Sequence, residues 1–293
     1  MNIILLSVIV LGSVGFLAGV ILFVIAQKFK VYEDPKIDEV ENILPAANCG
    51  GCGFPGCRNF AEACVKAEDL DSLFCPVGGN ECMANVAKIL GKTVEAKDPQ
   101  IAVIRCNGTP EFRQRTTIYD GATTCAMESA LYGGHTDCQY GCLGHGDCVA
   151  VCKFDAIEMD PVTQLPVVND KCTACGACVT ACPKGIIEIR PRGKKDKRIF
   201  VSCINKDRGG TAKKACQVAC IGCKSCVNVC KFDAIKIENF LAYIDPVACK
   251  LCRACVTACP TNAIWEINFP PRKVKEGTET KKETLKTEEK KEK

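Results

Sequence analysis

The 293-residue sequence predicts an α+β protein assembled from small units: an N-terminal transmembrane helix, a small Cys-rich domain, and two tandem copies of a second Cys-rich module. Three observations predict this. The chain holds 26 cysteines against 12 Phe, 5 Tyr and 1 Trp, so bonds to sulfur must do much of what one large apolar core would otherwise do. Residues 3–26 are apolar with only two serines among them. The string Val151-Cys-Lys-Phe-Asp-Ala-Ile157 recurs as Val229-Cys-Lys-Phe-Asp-Ala-Ile235, and Ala177-Cys-Val-Thr-Ala-Cys-Pro183 recurs as Ala254-Cys-Val-Thr-Ala-Cys-Pro260. A repeat of this length marks two copies of one structural unit.

Residues 1–30 form the anchor. The apolar run exceeds the roughly 20 residues a helix needs to cross a bilayer. No basic segment precedes it and no small-residue cleavage site follows, so it reads as a retained single-pass helix. Lys28 and Lys30 flank its C-terminal end, which by the positive-inside rule puts the bulk of the chain on the cytoplasmic side of the cell (inner) membrane. That compartment is reducing and disfavours a disulfide framework. Gly15 and Gly19 match a small-xxx-small helix contact, or are simply glycines that lipid tolerates.

Residues 31–47 are a linker with a short helix ending before Pro45. Residues 48–95 form the first Cys-rich domain, with a helix stopping at Gly91. Residues 96–135 read as a mixed connector, 136–190 as module one, 191–213 as a flexible or basic-faced linker and 214–268 as module two. Residues 269–293 are a Lys/Glu tail that carries most of the net charge of +4 and cannot bury a core; it is expected to be disordered.

Cys172-x2-Cys175-x2-Cys178-x3-Cys182-Pro183 and Cys249-x2-Cys252-x2-Cys255-x3-Cys259-Pro260 have the spacing of bacterial ferredoxins. Three closely spaced thiolates cap one [4Fe-4S] cubane and the fourth crosses to the neighbouring one. Zinc prefers two separated Cys pairs. In module two the crossed rule places one cubane on Cys220, Cys223, Cys226 and Cys259, and another on Cys249, Cys252, Cys255 and Cys230, leaving Cys216 over. Module one departs from this, because His145 stands where module two has Cys223. The favoured reading joins Cys138 to Cys142, Cys148 and Cys182, with Cys172, Cys175, Cys178 and Cys152 as the partner site. His145 as ligand, a three-iron cluster, or completion by Cys106 or Cys125 remain open. A further cubane site is expected on Cys49, Cys52, Cys57 and Cys75, where intervening glycines let backbone amides approach sulfur. Cys64 and Cys82 lie on helical stretches and read as packing residues. About five cubanes follow, hence about 20 iron atoms, and a sixth iron–sulfur centre is not excluded.

Lys153 and Lys231 follow the crossing cysteines; each is either a charge that raises a cluster's potential or a solvated side chain. Gly91-Lys92-Thr93 lacks the first glycine of a P-loop, and no Gly-x-Gly-x-x-Gly follows a strand. With only His135 and His145, no nucleophile–base set is evident, so no nucleotide site and no acid–base catalysis are expected of this chain.

The anchor, the Cys49-Gly-Gly-Cys52-Gly-Phe-Pro-Gly-Cys57…Cys75-Pro76 domain and the following ferredoxin modules together resemble the B subunit of the Rnf complex, the membrane-bound ferredoxin:NAD+ oxidoreductase, in a polyferredoxin form. The resemblance covers residues 1–268. It implies a membrane-anchored electron-transfer subunit that takes electrons from soluble ferredoxin. These would pass to membrane and flavin-bearing partner subunits, coupled to Na+ or H+ export. An anchor subunit of a hydrogenase, a formate dehydrogenase or a redox-sensor-reducing complex is the alternative. A zinc-ribbon protein binding nucleic acid has only the basic segment Lys194, Lys195, Lys197 and Arg198 in its favour, and no nucleic-acid partner is expected.

Overall fold

The computed structural model describes residues 3–28, 34–131 and 133–271, so the expectation for the Lys/Glu tail lies almost wholly outside the described residues. Two compact units divide between residues 95 and 96.

In the first unit, α1 (Ile3–Lys28) is long and apolar enough to cross a membrane, and its stretch Ile9–Lys28 is not buried against protein. A 26-residue helix rises roughly 39 Å, more than the ~30 Å hydrocarbon core. Next, α2 (Pro35–Ile43) starts where Asp34 accepts a bond from the Lys36 N–H at 2.9 Å and Pro35 presets the first turn. It buries Ile37 and Val40, one turn apart, and ends before Pro45. Its neighbours are α3 (Cys57–Lys66) and α4 (Gly79–Leu90), the latter closed by Gly91 at φ 66° in the left-handed region. Phe60, Cys64, Leu70, Met83 and Val86 fill the core of this unit. Lys92 Nζ reaches back to the carbonyls of Cys64 at 2.7 Å, Val65 at 3.2 Å and Ala67, capping the C-terminus of α3.

The second unit is built twice from one plan. Module one contains β1 (Gln100–Ile104), α5 (Cys125–Leu131), α6 (Asp147–Ala150), β2 (Ile157–Met159), β3 (Pro166–Val168), α7 (Ala177–Ala181) and β4 (Ile187–Pro191). Module two contains β5 (Arg198–Val201), α8 (Gly209–Ala215), α9 (Ser225–Asn228), β6 (Ile235–Glu238), β7 (Leu241–Ile244), α10 (Ala254–Ala258) and β8 (Ile264–Ile267). Each module has an antiparallel hairpin, β2–β3 or β6–β7, and a second antiparallel pair formed by its first and last strands. Ala102 lies opposite Ile189 in β1–β4, and Phe200 opposite Trp265 in β5–β8.

Strand pairing therefore carries each module beyond the expected bounds. Strand β1 comes from the segment read as a connector, and β5 from the segment read as a flexible linker. All four residues of β5 are buried, because the apolar run Ile199-Phe200-Val201 completes the module core.

The modules interlock through charged side chains of β4 and its neighbours. Arg190, 2% exposed, donates Nη1–H to the Ile244 carbonyl of module two at 3.0 Å and pairs with Glu188. Its guanidinium stacks 4.9 Å from the Tyr243 ring. Arg105 pairs with Glu188 at 3.1 Å and donates to the Val201 and Cys203 carbonyls.

Candidate metal centre

None of the 26 cysteines is paired in a disulfide. Most do not scatter through the core; they line discrete hollows. In module two one small hollow is lined by Cys220, Cys223, Cys226 and Cys259, and a second by Cys230, Cys249, Cys252 and Cys255. These are the two crossed sets expected from spacing. Short helices α9 and α10 each begin at a residue with positive φ, Lys224 or Arg253, which bends the Cys-x2-Cys-x2-Cys loop around its hollow. Backbone amides point at sulfur: Ala242 N–H donates to Cys220 Sγ at 3.4 Å and Ala263 N–H to Cys259 Sγ at 3.3 Å. Such donors stabilise a thiolate and tune what binds it.

Module one repeats the arrangement with one exchange. Ala156 N–H donates to Cys152 Sγ at 3.4 Å, and Cys172 Sγ accepts from Ala174 and Ala102 at 3.4 and 3.5 Å. Burial pushes the Cys178 thiol up to about 12, and the adjacent Cys172 and Cys175 add to the shift. The other hollow is lined by Cys142, Cys148, Cys182 and Cys125. Cys138 does not line it. Cys138 falls in a separate hollow with Cys106, Cys203 and Cys216.

The reason is the placement of α5. Its first two amides, Cys125 and Ala126, donate to the Asp147 carboxylate at 2.9 and 3.0 Å. Its Glu128, fully buried, takes His135 Nδ1 at 2.7 Å on one oxygen and His145 Nε2 on the other. Burial alone would raise the Glu128 carboxyl, but the bonds from the two histidines outweigh it and hold the group below the usual carboxylate range. His145 thus spends its side chain on Glu128, while its backbone N–H faces Cys125. Cys125, carried by this clamped helix, lines the hollow whose counterpart in module two is lined by Cys223.

In the first unit, Asn48 Oδ1 accepts the Cys57 N–H at 2.8 Å and closes the Cys49–Cys57 loop, whose turns put Gly50 and Gly53 at φ 75° and 87°. The Gly78 N–H donates to Cys75 Sγ at 3.3 Å. Burial raises the Cys75 thiol, and Cys52 and Cys49 add to the shift as near neighbours. Cys64 is fully buried among apolar side chains, and its thiol is pushed up to about 12, mainly by burial. Cys82 packs beneath Cys75 with its thiol directed at the Ile43 carbonyl.

Among the described residues, no three His, Cys, Asp or Glu side chains close to the spacing of a single bound ion. The thiols ring voids, which suits a four-iron cube better than one zinc ion. A larger, more open cleft, bordered by Arg115, His135, His145 and Gln164, contains no cysteine. Lys153 and Lys231 are both exposed.

A family model described as "4Fe-4S dicluster domain" matches residues 137–186 and again 219–263, and one described as "Putative Fe-S cluster" matches residues 44–77. The chain is 43% identical over 246 residues to the B subunit of a Na(+)-translocating ferredoxin:NAD(+) oxidoreductase complex from Acetobacterium woodii, covering 84% of this chain and 72% of that one. It is 40% identical to the B subunit of an ion-translocating oxidoreductase complex from Methanosarcina acetivorans, over 82% of this chain and 89% of that one. A Shewanella amazonensis protein of the same name is 30% identical over 56% of this chain and 88% of its own length.

Proposed function

Because the chain belongs to the B subunit family of Rnf-type ion-translocating oxidoreductase complexes, we propose that it is the anchored electron-input subunit of such a complex. In this reading it accepts electrons from reduced soluble ferredoxin on the cytoplasmic side. It hands them to membrane and flavin-bearing subunits whose reduction of NAD+ drives Na+ or H+ export. The observation that carries the reading is the set of four-cysteine hollows in a chain that begins with a helix able to span a membrane. Electron transfer through thiolate-held clusters needs no acid–base set.

The residues fit cubanes as follows. Cys49, Cys52, Cys57 and Cys75 hold one in the first unit. Cys125, Cys142, Cys148 and Cys182 hold one in module one, and Cys152, Cys172, Cys175 and Cys178 its partner. Cys220, Cys223, Cys226 and Cys259, with Cys230, Cys249, Cys252 and Cys255, serve module two. Bound [4Fe-4S] cubanes supply one-electron redox chemistry. The protein's part is to hold four thiolates, aim amides at their sulfurs and exclude water. Cys223 and Cys252 are the exposed thiols of the set, which places module two's hollows nearest solvent and makes that module the favoured face for a soluble donor.

Anaerobic purification of the intact complex tests this. Reduced ferredoxin should bleach the visible absorbance of this chain's clusters in the complex, and NAD+ should restore it only when the flavin-bearing subunits are present. Co-purification with a hydrogenase or formate dehydrogenase large subunit instead would overturn the assignment. So would direct NAD+ binding by the isolated chain, for which no nucleotide motif is evident.

A further inference from the structure

The hollow that takes Cys138 is not explained by the ferredoxin motifs. It is lined by Cys106, Cys138, Cys203 and Cys216, from four separate segments. Like each of the three hollows lined by the crossed sets, it is ringed by four cysteines. All four cysteines are buried, at 9, 8, 9 and 6% exposure. Their thiols are mutual neighbours, since Cys106 raises Cys138 and Cys203, and both Cys138 and Cys106 raise Cys216. We propose that these four thiolates hold a sixth [4Fe-4S] cluster, seated between the two ferredoxin modules.

The internal repeat supports this. Cys106 comes two places after the last residue of β1, and Cys203 two places after the last residue of β5. Cys138 precedes Cys142 by four residues, and Cys216 precedes Cys220 by four. Each module therefore contributes the same two positions, and the site is completed only by pairing the modules. Chance packing of leftover thiols would not respect the repeat.

The surroundings are those of the other sites. The Asn205 N–H donates to Cys203 Sγ at 3.4 Å, Asn205 Nδ2 approaches Cys138 Sγ at 3.7 Å, and the Cys142 N–H donates to Cys106 Sγ at 3.5 Å. Arg113, 7% exposed, lines the hollow. Its Nη2–H donates to the Cys142 carbonyl at 2.6 Å, while Nε and Nη1 are buried with no acceptor among the described residues. A side chain on Gly141 would collide with Nη1, so the glycine is what admits the guanidinium. A buried cation with two open donors calls for an anion. A cubane on four thiolates, net about −2, provides one. The position is central as well. Cys106 touches the amide of Cys142 from module one's hollow, and Cys203 Sγ accepts from the amide of Cys220 from module two's.

The proposal rests on the other five quartets holding cubanes, but not on the identity of the electron donor. The test is to count metal on the anaerobically isolated full-length chain by native mass spectrometry with iron, zinc and acid-labile sulfide analysis. Six cubanes, about 24 iron atoms, are expected. The conservative variants Cys203→Ser and Cys216→Ser should each carry five, with the reduced-state electron paramagnetic resonance of the remainder intact. A wild-type chain saturating at five cubanes overturns the proposal even if neither variant folds. So does a single zinc atom lost in both variants. A chain with almost no iron would instead overturn the reading of the other five sites.

Discussion

The assignment of Cys125 in place of Cys138 makes a prediction that depends on pairing. Two thiols of one cubane act as a unit, so removing the second costs nothing further once the first has gone, whereas thiols of different cubanes add. From the hollows, Cys125→Ala and Cys148→Ala should each reduce the number of four-iron clusters by about one, and the double variant also by about one. Cys138→Ala combined with Cys148→Ala should lose about two, because Cys138 lines the other hollow. In each case a cubane stripped of one thiolate either leaves or contracts to three irons. Mössbauer spectroscopy of iron-57 protein separates the two outcomes, and paramagnetic resonance of the oxidised sample detects a three-iron product. His145→Ala should leave the cluster count unchanged at first but make that cluster more labile, since it removes one of the two histidines that fasten Glu128 and hence α5. The reasoning is refuted if Cys125→Ala retains every four-iron cluster, or if the Cys138–Cys148 double variant loses no more than Cys148→Ala alone.

Three further outcomes follow. Lys92→Met removes the charge-assisted bonds to the last carbonyls of α3, costing about 2 kcal/mol; limited proteolysis between α3 and α4 should accelerate by at least tenfold, and an unchanged rate would show the lysine to be incidental. Arg190→Met breaks a buried pair at the junction of the modules, where about 3 kcal/mol is expected because Glu188 keeps Arg105; protection of the β7 amides against hydrogen exchange should fall by roughly 100-fold, and unaltered protection there would refute an interlocking role. Reconstitution of the apo chain should improve as pH rises. Burial holds Cys142, Cys178 and Cys255 up to about 12, so these thiols are protonated without metal and must lose their protons to bind iron. Affinity therefore increases from pH 6.5 to 9, and a flat yield across that range would contradict the linkage.

The order of units was legible in the sequence, and so was which cysteines of module two share a hollow, because a Cys-x2-Cys-x2-Cys-x3-Cys run writes its geometry into local spacing. What could not be read locally was what long-range folding decides. Cys125 has no neighbouring cysteine to announce it. It reaches its hollow only because Asp147 and Glu128 fix α5, and those bonds span 17 to 22 residues. A usable signal was nevertheless present for Cys138. In the repeat it is the counterpart of Cys216, which the motif rule already leaves over, so the repeat sets the two apart together. Strand β5 was obscured by its flanks. The buried run from Arg198 to Val201 follows Lys194, Lys195 and Lys197, whose charge dominates the composition of the segment. Lys92, which stands in the sequence beside a failed phosphate-binding motif, is instead explained by the α3 carbonyls it caps.

Charge at the junction ties these points together. The formal +4 describes a chain without its cofactors. Each cubane with four thiolates adds about −2, so five sites bring the total to roughly −6 and a sixth to roughly −8. Within the fold the distribution matters more than the sum. The hollow between the modules is lined by Arg105 and Arg113 and by no carboxylate. Arg105 is answered by Glu188, but Arg113 has only one carbonyl among the described residues. An unanswered buried guanidinium is costly enough that folding would select against it unless an anion arrives with it. On the proposed sixth site, the junction would be stable only when loaded, and the pairing of the two modules would be a consequence of metal assembly. That coupling would account for the thin aromatic content: the apolar surface that other proteins use to join two such modules would be replaced by sulfur, iron and the cations that face them.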